Sequence, residues 1–132
     1  MKLSGRQLAI MQVLWDRGEA TVAQVQDSLD LERPLAYSTV ATVISRMQQK
    51  GLITHRAEGR VFHYQPTVSE DGVGSSMVGE LVERIFGGSP SELVSHLLES
   101  DQVDAGELKR IKELVRQHEV DKRKSIKKGT RK

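Results

Sequence analysis

The chain has 132 residues, 37% of them hydrophobic and 29% charged, with no cysteine and a formal net charge of +2. That length allows one domain or two small lobes, and the missing cysteines exclude disulfides, thiolate metal sites and cysteine nucleophiles. No run approaches the roughly 18 apolar residues of a spanning helix, and the opening MKLSGRQLAIMQ lacks the apolar core of a signal peptide, so a soluble, cytoplasmic protein is expected.

Helix starts are marked by capping pairs. Ser4 with Gln7, Thr21 with Gln24, Ser89 with Glu92 and Asp104 with Glu107 each place a capping oxygen three residues before an acceptor able to bond back to the N-cap amide. The first helix is predicted from about residue 4 to Arg17, burying Leu8, Met11, Leu14 and Trp15 and stopping at Gly18. Thr21 opens a short second helix burying Val22, Val25 and Leu29. The segment DLERPL then breaks the pattern, because Pro34 disfavours helix at Arg33.

The stretch AYSTVATVISRMQQKGL, residues 36–52, forms the third helix. Val40, Val43, Ile44 and Met47 recur at the spacing of one buried face. Thr39, Thr42, Arg46 and Gln49 share a face that must look away from that core. Arginine can fork onto guanine, glutamine onto adenine, and threonine can meet a base edge, a phosphate or a thymine methyl. An ordinary solvated face is the competing reading, although β-branched threonine is a poor choice for one.

After Gly51 the apolar period falls from 3.6 to 2. LITHRA and RVFHYQP alternate around EGR, which predicts a hairpin with Phe62 and Tyr64 on one face. Helix, helix, helix, hairpin is the order of a winged helix-turn-helix. The hairpin's Arg56, Arg60 and His63 favour DNA over a merely solvated helix. The candidate DNA contacts are therefore Ser38, Thr39, Thr42, Ser45, Arg46, Gln49 and Lys50 on the helix, with Arg56, Arg60 and His63 on the hairpin. His55 and His63, if facing one another across the strands, could in principle share a metal, but no third ligand is near in sequence, so no metal site is assigned. Glu58 and Asp71 pair with no nucleophile, and neither a catalytic constellation nor a cofactor motif is found.

Beyond Pro66 the chain turns helical again. Met77, Val78, Leu81, Val82, Ile85 and Phe86 stripe one helix, Leu93, Val94, Leu97 and Leu98 a second, and Leu108, Ile111, Leu114 and Val115 a third. Such short striped helices need a partner surface, and a homodimer is the simplest provider. The expected dimer contacts are Met77, Leu81, Ile85, Leu93, Leu97, Leu108, Ile111, Leu114 and Val115. Charge divides along the same lines. Residues 1–67 hold eight Lys/Arg against six Asp/Glu, residues 68–120 five against eleven, and residues 121–132 seven against one. The expected organisation is a mainly α (α+β) chain: a winged-helix DNA-binding domain at 1–67, a three-helix dimerisation region at 68–120, and a basic, disordered tail at 121–132 suited to polyanions.

YSTVATVISRMQQKGLITHRAEGRVFHYQP resembles the penicillinase repressor family of the BlaI/MecI type, through T-V-x-T-V-x-x-R-M-x-x-K-G-L followed by E-G-R-x-F-x-Y-x-P. LAIMQVLW is similar to that family's first helix. The resemblance implies a homodimeric repressor on a palindromic operator, with Thr39, Thr42 and Arg46 matching recognition-helix positions and Arg60 lying on the wing. Copper-responsive members carry C-terminal cysteine pairs that this chain lacks. β-Lactam-responsive members are cut by a membrane sensor protease at an Asn-Phe bond; counting from FGG, the corresponding point here is His96-Leu97. Rival readings are a winged-helix protein adaptor without specific DNA binding, and a hydrolase using His55 or His63.

Overall fold

A computed structural model describes residues 2–29 and 34–129. Six helices and one hairpin follow in the order α1 (Gly5–Arg17), α2 (Val22–Ser28), α3 (Tyr37–Gln49), β1 (Ile53–Glu58), β2 (Val61–Pro66), α4 (Glu70–Ile85), α5 (Pro90–Glu99) and α6 (Ala105–Gly129). Two capping boxes start α1 and α2: Ser4 Oγ accepts from the Gln7 amide at 3.2 Å and Thr21 Oγ1 from the Gln24 amide at 3.1 Å, while each glutamine accepts from its cap's own N–H. Gly18, at a φ of 82° that side chains avoid, closes α1 by donating to Leu14 O. Asp30 to Arg33, where the sequence predicts a break, lie outside the described residues; Leu29 caps α2 and Pro34 to Ala36 are not helical.

The core gathers Ile10, Met11 and Leu14 of α1, Val22 and Val25 of α2, and Val40, Ile44 and Met47 of α3, closed below by Leu52 and Ile53. Ile10 takes the place expected for Leu8, which stays half-exposed; Trp15, Leu29 and Val43 pack at the margin. Each fully buried aliphatic side chain contributes about 1.5–3 kcal/mol, so these residues carry most of the stability of this part. The antiparallel hairpin pairs Ile53 with Pro66 through Glu58 with Val61. Ala20 adds a one-residue third strand, exchanging both backbone bonds with Tyr64 at 3.0 and 2.8 Å.

The chain divides into two compact units, 1–80 and 81–132. The boundary lies beyond the position expected at 67/68 because the first unit retains the start of α4: Trp15 Nε1 donates to Val68 O at 2.9 Å and Val73 is buried. A second difference concerns residues 121–129, expected to be disordered and instead the last turns of α6. No proline or glycine interrupts the run before Gly129, lysine and arginine are good helix formers that suit a helix C-terminus, and Gln117 donates to Asp121 one turn on at 3.0 Å. Residues 130–132 of that expected tail lie outside the described residues.

None of the described side chains of residues 81–126 is buried. Large apolar groups on all three helices, among them Ile85, Leu98, Leu114 and Val115, remain strongly exposed. No helix among the described residues is long and apolar enough to cross a membrane.

Candidate nucleic-acid interface

Helix α3 is anchored by its apolar face, with Val40, Ile44 and Met47 at 0% exposure. That burial fixes the rotation of the helix and therefore what faces out. Ser38, Thr42, Ser45, Arg46, Gln49 and Lys50 are exposed, and Thr39 is half-buried at the flank. The Arg46 and Lys50 side chains have no hydrogen-bond or ion-pair partner among the described residues, so both charges are available to an anion. Thr42 is differently placed: its hydroxyl donates to Ser38 O at 2.8 Å, the preceding turn's carbonyl. The proton is thereby used, and what Thr42 offers outward is its methyl group and an acceptor lone pair.

The hairpin turns through Glu58, Gly59, Arg60 and Val61. Gly59 has a φ of 62°, as the first central position of a two-residue hairpin turn of the II′ kind requires. Arg60, next in the turn, is exposed and without a partner among the described residues.

Arg56 and His63, the other two basic candidates of the hairpin, occupy a different environment. Glu19, in the short link between α1 and α2, receives both Arg56 Nη2 at 2.6 Å and Arg56 Nε at 3.1 Å. Gln65 Nε2 donates to the same carboxylate at 2.8 Å. Glu58 lies 3.3 Å from Arg56 Nη1 and 3.2 Å from His63 Nε2, and the His63 Nδ1 stands 4.0 Å from Glu19. The Arg56 bond, followed by that of Gln65, pushes the Glu19 carboxyl down to about 2 against a weaker opposing effect of desolvation, and the same ion pair holds the Arg56 guanidinium charged still more firmly than usual. A charge neutralised in this way has little left for a phosphate. Arg56 and His63 thus tie the hairpin to the helical body, leaving Arg60 as its unengaged cation.

The histidines do not face one another. Arg56 is opposite His63 and His55 is opposite Tyr64, so the alternation of the strand sets the two on opposite faces. His55 stacks on Phe62 with ring centres 4.2 Å apart and its Nδ1 meets Gln48 Oε1 at 2.8 Å, joining hairpin to α3. Burial pushes the Tyr64 phenol up, with the nearby Tyr37 adding to the effect, so it stays protonated. No group of three or more potential ligands able to hold a metal occurs among the described residues.

Glu19, Gln48 and Gln65 were not legible as part of this surface, since nothing near them in sequence announces a partner 37, 7 or 46 residues away. In the second unit, Leu81, Ile85, Leu97, Leu114 and Val115 are exposed and Leu93, Leu108 and Ile111 half-buried, while Met77, half-buried, belongs to the first. His96 and Leu97 fall inside α5, where His96 lies against Phe86 with ring centres 5.7 Å apart.

The model of the penicillinase repressor family matches residues 3–117. A penicillinase repressor of Bacillus licheniformis is 25% identical over 122 residues, 92% of this chain and 95% of its own length. The transcriptional regulator BlaI of Mycobacterium tuberculosis is 35% identical over 109 residues, 79% of each chain. Among solved structures, that of the monomeric form of Bacillus licheniformis BlaI in complex with the blaP half-operator is similar over 55% of this chain and 88% of that one, at 29% identity and a TM-score of 0.47.

Proposed function

The chain belongs to the penicillinase repressor family, and from that premise we propose that it is a transcriptional repressor whose α3 enters the major groove of operator DNA. Thr39, Thr42 and Arg46 meet base edges, with Ser38, Ser45, Gln49 and Lys50 around them, and Arg60 reaches a phosphate beside the groove. The observation that carries this reading is the division of α3: one face is locked in the core, and the other presents cations that no group among the described residues neutralises. Arg56 and His63 hold the wing at its angle rather than touching DNA. As a regulator of transcription the protein works where the chromosome lies, in the cytoplasm.

The repressor acts as a twofold dimer on a palindrome. The absence of any buried side chain among the described residues 81–126 supports this, since helices carrying so much exposed leucine, isoleucine and valine are not stable alone. Joining two half-site readers makes the second contact intramolecular, at an effective concentration near millimolar, and raises affinity by about 10² to 10⁴. Release follows from separating the two halves, and a membrane sensor protease cutting near His96-Leu97 is one route. Because that bond is helical, α5 must unwind locally before any protease can accept it as an extended strand.

The experiment is to select bound fragments from genomic DNA, then compare a selected palindrome with its half-site while light scattering reports mass. A twofold-symmetric consensus, a dimer mass at micromolar concentration and binding to the palindrome about 10² to 10⁴ tighter than to the half-site are expected. A strict monomer or an absence of sequence preference would overturn the reading.

A further inference from the structure

In residues 2–67, three large apolar side chains stand strongly exposed among the described residues: Tyr37 at 55%, Val61 at 49% and Phe62 at 45%. They come from the start of α3 and from β2, yet all three line one cleft of about 320 Å³, with Tyr64 and the α2 residue Val22 completing its apolar wall. Arg60 supplies its single charge, and Thr21 and the two phenols supply hydroxyls. A folding unit that buries Ile10, Met11, Leu14, Ile44 and Met47 completely has no structural reason to collect its remaining apolar surface at one concave place.

We propose that this cleft binds a small aromatic monoanion, its carboxylate on Arg60 and its ring against Phe62 and Tyr37. The volume lies at the lower end of ligand sites, roughly 300–1,000 Å³, which suits one or two fused rings. The balance of groups decides against a stretch of DNA backbone as the occupant. A strand of phosphates calls for several cations, whereas here one guanidinium faces a wall that is mostly aromatic and aliphatic. Arg60 has no ion-pair partner to surrender among the described residues, so a ligand carboxylate meets no competitor within the protein. An occupied cleft takes Arg60 away from phosphate, making the ligand an inducer that loosens operator binding without touching α3. That regulatory consequence rests on the repressor reading given above; ligand binding does not.

The test titrates 2-naphthoate into the isotopically labelled full chain without DNA, following backbone amides by NMR. Saturable shifts centred on Tyr37 and on Arg60 to Tyr64 are expected, with 2-naphthamide and the Arg60→Gln variant each binding at least about tenfold more weakly, as loss of a charge-assisted bond requires. Arg60 lies in an exposed turn without a partner, so Arg60→Gln should keep the wild-type spectrum elsewhere, and Tyr37→Ala, which removes part of the ring wall, provides an independent second loss. No saturable shift at these amides, or equal affinity in Arg60→Gln, overturns the site. Shifts there with a DNA duplex but never with naphthoate also overturn it and give the cleft to the sugar-phosphate backbone. If naphthoate binds but leaves the affinity for a selected operator unchanged, the inducer role falls.

Discussion

Replacing Arg46 by alanine isolates the proposed readout from the fold. Arg46 is exposed on α3 and bonded to no described side chain, whereas Val40, Ile44 and Met47 hold the helix from the other side. The substitution therefore removes nothing from the unbound protein, and its stability should stay within about 0.5 kcal/mol of wild type. On DNA, one forked contact to a base edge contributes about 1–3 kcal/mol, a loss of roughly 5- to 150-fold on a half-site. A twofold dimer carries the change twice, so the palindrome should lose about 2–6 kcal/mol, twice the half-site value within the limits of additivity. Because the contact is to a base, the salt slope should move by less than about one per protomer. Anisotropy of a labelled duplex, measured on half-site and palindrome at several salt concentrations, gives all three quantities. A half-site loss below twofold would refute the assignment of Arg46. Equal losses on half-site and palindrome would refute simultaneous engagement by two copies.

Because the Thr42 hydroxyl is bonded to Ser38 O, the outward group that matters is the methyl: Thr42→Val should keep operator affinity, and Thr42→Ser should lose about 0.8 kcal/mol, the value of one buried methyl, with the reverse order in the same duplex assay counting against a methyl contact. The Glu19 carboxyl sits near 2 in place of its ordinary 4.5, so its contribution to stability is complete above about pH 4.5 and fades as the pH falls toward 2. The gap in urea midpoint between wild type and Glu19→Gln should accordingly narrow on acidification from neutral pH, and a gap that widens would contradict the ion pair. Removing residues 122–132 takes away seven Lys/Arg, and if the end of α6 reaches phosphates the salt slope should become shallower by roughly one for each phosphate no longer neutralised, equally on all sequences; an unchanged slope would exclude any such role for the end of the helix.

What could be read from the sequence was local. Ser4, Thr21, Ser89 and Asp104 announce helix starts through bonds that span three residues, and each does accept such a bond. Gly59 announces the hairpin turn because only one residue type enters that backbone region without strain. The division of α3 into a buried and an exposed face follows from spacing alone. What escaped depends on long separation in the chain. Arg56 and His63 look like free basic side chains until the fold brings Glu19 against them, and the two histidines look like neighbours until the register sets them on opposite faces. The tail departs from its sequence pattern for a different reason: dense charge of one sign suggests disorder, but the same lysines and arginines continue, as far as Gly129, a helix already nucleated by the residues before them.

The indole of Trp15, the chain's single tryptophan, bonds to a carbonyl 53 residues away. That bond can exist only once α1 has docked and the chain leaving β2 has returned past it, so tryptophan emission reports the closure of the first unit and is blind to the second. Helical ellipticity, by contrast, draws on both units about equally, since α5, α6 and the end of α4 add their turns to those of α1, α2 and α3. Unfolding curves followed by the two signals should separate, and the separation should change with protein concentration if the second unit draws its stability from a partner copy. Non-coincident transitions, usually taken as the mark of a partly folded intermediate, would here register two bodies melting on different terms.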